Sequence, residues 1–305
     1  MDFTFKPFPI PFNDGSTRHH YIPQYFIRGF CNKEGKLVMY DKVADRFLSG
    51  TKSPKQLFYV TLGNAAAMKE GVNTIAETSY GQIDVRESEF VKEFLACPNV
   101  DGGIRKELHM YMNLFMVTLY FRVPSNDSKY SMLYHTGPSW ARPFLELPQF
   151  TWMHLHHETA ETMRKMSRAF LPTDLYIKLL EGRTGVEYHK VFDPGTGSLI
   201  LSDNPVVYLQ EPNTAEDLLG PCIVAVGQNR LALVDDNPGL LEPKQAATAY
   251  NVLAIEQANR IICASNMPVL RTMVQLWKEL RKVGYLPALR NHSFRMMTEA
   301  LPKGE

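Results

Sequence analysis

The hydrophobic pattern changes period several times along the chain, and each change predicts an element. Near the start, Pro7, Pro9 and Pro11 are interleaved with phenylalanines. Proline lacks the amide donor and restrains the residue before it, so residues 1–17 are expected to form an extended arm. KLVMYDK (Lys36 to Lys42) follows the turn residues Asn32 to Gly35 and precedes a short apolar pair near Arg46 to Leu48, which predicts a hairpin. A further strand is expected over Leu57 to Thr61. From Val72 onward, Ile75, Ile83, Phe90, Val91, Phe94 and Leu95 recur at helical spacing until Pro98 and the Gly102-Gly103 pair, with Gly81 a point of interruption. Ile104 to Val123 is apolar on nearly every face and ends at Pro124, as expected of a helix buried on most sides.

Two more helices are expected, over about Phe150 to Phe170 and after Pro172. Beyond Gly182 the period shortens: VEYHKVF, SLILSD, VVYLQ, CIVAVG and RLALVDD are brief apolar runs between turn signals, the pattern of an antiparallel sheet. Glu242 to Ala258 returns to helix, Arg260 to Ser265 is a further strand, and Val269 to Val283 closes as a helix behind Pro268. The fold class is therefore α+β. Residues 18–300 are expected to form a single domain with a mainly helical middle and a mostly antiparallel sheet, built from the N-terminal motif and the C-terminal third. Residues 301–305 are a tail.

With 305 residues, 45% of them hydrophobic, the chain can bury a sizeable core without disulfides. Cys31, Cys97, Cys222 and Cys263 lie far apart without a CxxC pair, as suits reduced thiols packed as small hydrophobes. A formal charge of +1 gives no whole-protein field to gather a polyanion; nucleic acid is not indicated by that balance, though not excluded by it. Charge is uneven along the chain, +4 over residues 1–60, −8 over 61–259 and +5 over 260–305. No window approaches the roughly 18 apolar residues of a membrane helix, and no basic start precedes an apolar run. A soluble, cytoplasmic protein with no membrane partner is the expectation. Walker, GxGxxG and GxSxG patterns are missing, which disfavours P-loop, nicotinamide and α/β-hydrolase chemistry.

Candidate chemistry concentrates in Arg18-His19-His20-Tyr21-Ile22-Pro23-Gln24-Tyr25-Phe26-Ile27-Arg28. Adjacent histidines on an extended chain point to opposite sides, so one faces a site while the other anchors. Imidazole moves protons near neutrality or ligates a transition metal, and Gln24 and Arg28 add neutral and cationic hydrogen bonds. A second candidate is Ser202-Asp203-Asn204-Pro205. The apolar run Leu199 to Leu201 leads into it, placing the Asp203 carboxylate at a strand end where it can hold a metal, orient an imidazole or simply close a turn. His154, His157, Glu158 and Glu161 share a face if helical but lack a defined third ligand position, and surface use is the simpler account.

The run HHYIPQYFIRGF, followed by KLVMYDK, SPK (Ser53 to Lys55), FYV (Phe58 to Val60) and a late SDNPV, resembles the family catalogued as domain of unknown function 4238. Nearly the whole chain follows the family order. The resemblance implies a fold and a candidate site but no activity. His19, His20, Pro23 and Gln24 match its leading element, Lys55 its lysine, Glu77 the glutamate of its first long helix, and Asp203 with Asn204 its SDNP element. The chain departs in having Ile27 for leucine and VPSN (Val123 to Asn126) where an Arg-Thr pair commonly follows the core helix, so that Arg122 stands in for that arginine.

Two functions follow. The first is a hydrolase in which His19 or His20 is general base or metal ligand, Asp203 orients or co-ligates, and Arg28, Lys55, Gln24 and Asn204 receive substrate; a divalent metal is compatible with this set. Any likeness to His-Asn-His nucleases stops at the His-His-x-x-Pro opening, since Asn32 comes too soon and His109 lies in the core helix. The second is a non-catalytic ligand- or partner-binding protein in which the His/Asp cluster is a structural polar network. An open pocket where the imidazoles meet Asp203 favours the first, and a sealed, fully bonded cluster the second.

Overall fold

The computed structural model describes residues 18–61, 63–64, 66–68, 71–73, 75–96, 106–126, 189–192, 198–213, 216–234 and 243–298. The expected arm, the expected helices between 150 and 182 and the histidine cluster at 154–161 lie outside the described residues. The first half contains β1 (Arg18–His20), α1 (Gln24–Arg28), β2 (Val38–Asp41), β3 (Arg46–Phe47), β4 (Tyr59–Thr61), β5 (Ala66–Met68), β6 (Gly71–Asn73), α2 (Ile75–Ala96) and α3 (Lys106–Arg122). The second contains β7 (His189–Phe192), β8 (Leu201–Ser202), β9 (Val206–Tyr208), β10 (Cys222–Gly227), β11 (Arg230–Val234), α4 (Pro243–Gln257), β12 (Ile261–Ala264), α5 (Met267–Lys282) and α6 (Leu286–Thr298).

The α+β class holds, with antiparallel pairing throughout the described sheets. The strands divide between two four-stranded sheets rather than one: β7-β11-β10-β9 comes wholly from the second half, and β3-β2-β12-β8 joins the N-terminal hairpin to the C-terminal third. In the joint sheet Ile262 of β12 faces Tyr40 of β2 on one side and Ser202 of β8 on the other. Small ladders β1-β4 and β5-β6 complete the described strands.

α3 is the core helix that its all-round apolar sequence predicts: Met112, Phe115, Met116, Val117, Leu119 and Phe121 are buried. α1 is one and a half turns long and is stable only by docking; its Phe26 packs edge-on against Phe115 of α3 with ring centroids 5.1 Å apart. α2 runs through Gly81 without a break, because that residue is exposed and a glycine there only costs about 1 kcal/mol relative to alanine. Asn266 caps α5, accepting from the Val269 amide at 2.9 Å, so that helix starts earlier than Pro268 predicts. It ends at Gly284, whose φ of +69° lets the Tyr285 amide turn back to the Leu280 carbonyl. α6 follows, hidden from a pattern search because Pro287 in its first turn reads as a breaker when it is a starter. Buried apolar side chains from Ile22 to Leu286 form one contiguous cluster. Cys31, Cys222 and Cys263 form no disulfide and are buried in it. Among the described residues no helix is long and apolar enough to cross a membrane.

Candidate functional site

β1 pairs with β4 so that His19 faces Val60 and His20 faces Tyr59. Strand alternation then separates the two imidazoles as their adjacency predicts: His19 is buried and His20 half-buried. Behind them Phe58 holds a left-handed φ of 53°, an arrangement its buried ring supports by packing edge-on against Tyr21. The Phe58 carbonyl accepts the Tyr21 amide at 2.9 Å, fixing where the histidine strand ends.

His19 is an anchor. Its Nδ1 accepts the Asn64 amide at 2.9 Å, which places the ring proton on Nε2. The Asn64 side chain donates to Glu77 Oε2 at 2.7 Å, and that oxygen lies 3.7 Å from His19 Nδ1. The three residues tie β1 to the first turn of α2.

His20 faces a cleft of about 350 Å3 bounded by Arg18, Gln24, Tyr25 and Arg28 from the N-terminal segment, Glu77, Asp84, Val85 and Ser88 from α2, and Arg122 from the end of α3. Its Nδ1 lies 3.4 Å from the Gln24 amide, and its Nε2 is buried with no hydrogen-bond partner among the described residues. Burial depresses the imidazole pKa below its ordinary value; Glu77 and the main chain of Lys55 and Arg18 oppose this, and Arg122 reinforces it. The ring is thus neutral near pH 7. Rotating the Gln24 amide exchanges its oxygen for its nitrogen beside Nδ1, which selects whether Nε2 offers a lone pair or a proton.

The far wall carries a second layer. Arg122 is buried and forms a two-pronged ion pair with Asp84, its Nη2 3.1 Å from Oδ2, while its guanidinium lies 4.2 Å over the Tyr80 ring. Burial works against its charge, but Asp84, Tyr80 and Glu87 outweigh that and hold it protonated above its ordinary value. The Tyr25 hydroxyl donates to Glu87 at 2.6 Å. Burial pushes the Glu87 carboxyl up to about 8, with the Tyr25 bond and Arg122 pulling the other way and Asp84 adding to the rise. Of this layer, only Arg122 stands out in the sequence. Asp84 and Glu87 are a DxxE pair on one helix face, a signal too common to select, and Tyr25 sits in an aromatic run that reads as core.

The other predicted site residues go elsewhere. Arg28 lines the cleft, exposed at its mouth, whereas the Lys55 side chain is exposed and outside the lining. Asp203 is buried at the end of β8, and its carboxylate accepts three main-chain amides: Asn259 at 2.8 Å, Arg260 at 2.8 Å and Ile261 at 3.0 Å. Burial raises its pKa against those amides and Lys42, which favour the ionised form. Asn204 lies in the wall of a different cleft. The histidine segment and the SDNP corner do approach one another electrostatically, but through Tyr21, whose hydroxyl pKa is raised by burial and then by the Asp203 charge.

The YDK motif works on the same corner as Asp203. Lys42 Nζ donates to the Glu256 and Ala258 carbonyls at the C-terminus of α4, the latter at 2.9 Å, where a cation also meets the negative end of the helix dipole. Asp41 accepts from Arg260 Nε at 2.9 Å. Among the described residues no group of three or more His, Cys, Asp or Glu side chains has the geometry to hold a metal ion.

Neither a curated protein nor a solved structure matches the chain. A family model described as "Protein of unknown function (DUF4238)" matches residues 18–267, a span from the first histidine strand to the start of α5 that takes in both clefts' principal motifs. The chain belongs to the DUF4238 family.

Proposed function

We propose that the His20 cleft is the working site and that it transfers protons on an anionic substrate, as in a hydrolase. The observation that carries this is a neutral imidazole in the wall of an open polar cleft, its buried Nε2 without a hydrogen-bond partner among the described residues. Arg18 and Arg28 at the exposed mouth supply charge for an anionic group, and Gln24 sets the tautomer. His19 and Glu77 are positioning residues that hold the strand. Asp203 supports the fold, which is where the reading of a structural polar network applies: its carboxylate and His19 are sealed and bonded.

The test is a panel of activated esters, including p-nitrophenyl acetate, p-nitrophenyl phosphate and bis-p-nitrophenyl phosphate, assayed with the wild type and with His20→Gln. A turnover that falls by about 100-fold or more in the variant, with unchanged melting temperature, is the expected result. Turnover indifferent to His20→Gln defeats the assignment. An inert panel combined with a phosphate-induced rise in the His20 pKa, followed by NMR, converts the site to ligand binding alone.

A further inference from the structure

The SDNP element borders a second cleft, of about 500 Å3, a volume ordinary for a small organic ligand. Its wall includes Asn204, Gln257, Tyr208, Glu211 and Arg290. Arg290, on α6, is only partly exposed, and one of its nitrogens donates to the Tyr208 carbonyl. Among the described residues no carboxylate forms an ion pair with it, and the Tyr208 carbonyl engages only one nitrogen of its five-donor guanidinium. Burial accordingly depresses its pKa, with Glu256 opposing. A guanidinium partly withdrawn from water with no ion-paired carboxylate among the described residues is unfavourable, and an anion entering the cleft would relieve it.

The neighbouring groups are set for hydrogen bonding rather than further charge. Asn204 uses its main chain to meet Ser202 and Gln257, while its side-chain amide has no hydrogen bond among the described residues. Gln257 Nε2 donates to the Asn204 and Val206 carbonyls, each at 2.7 Å. That leaves only its oxygen to accept from a ligand. Glu211 sits exposed on the same wall, so the lining carries one charge of each sign, which disfavours a polyanion.

We propose that this cleft binds a small organic anion with a single oxyanion head, a carboxylate or a phosphate, held by Arg290. Hydroxyl or amide groups on its body meet Asn204 and Gln257. The site is separate from the His20 cleft and does not depend on the role assigned there. The experiment follows the Arg290 Nε–H and Asn204 side-chain amide resonances of the full chain by NMR during titration with acetate and, separately, with inorganic phosphate. Saturable shifts at both groups with either anion are expected, and the anion that produces them distinguishes a carboxylate from a phosphate head. Arg290→Gln, which keeps a donor for the Tyr208 carbonyl, should weaken the Asn204 response by at least about tenfold, and His20→Gln should leave it unchanged. Two results overturn the proposal: neither anion moving these resonances in the wild type, or an Asn204 response that survives Arg290→Gln intact. Should Arg290→Gln not fold, the wild-type titration decides alone, since a saturable Arg290 Nε–H shift supports the site and its absence rejects it.

Discussion

Glu87 holds a proton at neutral pH because the environment that surrounds it cannot solvate a carboxylate. Tyr25 donates to one of its oxygens at 2.6 Å, and burial outweighs that bond together with Arg122 and Thr118, which favour the ionised form. The folded-state pKa near 8 stands above the ordinary 4.5, so the folded protein holds the proton more tightly than the unfolded chain. The stability this confers is complete below the unfolded value, declines as pH rises through the interval, and is gone once the folded group has ionised. Glu87→Gln keeps the shape and removes the titration. Relative to that variant, the wild type is expected to lose on the order of 3–5 kcal/mol between about pH 5 and about pH 8. Denaturant melts of both proteins at the two pH values measure the difference, and a gap constant with pH would show that Glu87 is ionised throughout.

At the scale of elements, what was legible in the sequence were those whose own pattern decides them. α3 is apolar on all sides and α2 carries apolar residues at helical spacing, so both form, α2 starting at Ile75 because Val72 lies in β6. β5, β6 and α6 escaped because Ala66–Met68 and Gly71–Asn73 lack a strand pattern and Pro287 disguises a helix start. The opposed faces of His19 and His20 were legible from their adjacency and Glu77 from the family pattern, but the β1–β4 pairing and the part of Asn64 were not, since they arise only through tertiary packing. Arg122 with Asp84 shows what joins α2 to α3 beyond apolar contact. Asp84→Asn leaves a buried guanidinium without its carboxylate and is expected to cost about 3 kcal/mol. Adding Arg122→Met should recover part of that loss, because the charge needing compensation is gone. A double-mutant cycle by chemical denaturation checks it; strict additivity would mean that the pair is not coupled.

For the whole molecule, the YDK and SDNP motifs, far apart in sequence, converge on one turn rather than on the His20 cleft. The YDK hairpin grips it from one side, with Lys42 on the α4 carbonyls and Asp41 on Arg260; Asp203 grips it from the other through three amides. This turn feeds β12, the strand that lies between β2 of the first half and β8 of the second, so the corner fixes the register in which the two halves share a sheet. Asp203→Ala strips the acceptor from three main-chain donors at once and is expected to destabilise the fold by roughly 1–3 kcal/mol or more. If the carboxylate serves only this corner, the variant's His20 keeps both its depressed pKa and its response to phosphate, because no group that bears on the imidazole belongs to the SDNP element. Thermal melts alongside an NMR titration of the imidazole separate the outcomes. A fall in melting temperature with an unchanged His20 curve places Asp203 in the scaffold, whereas a displaced curve in a protein that melts normally would return it to the chemistry of the cleft.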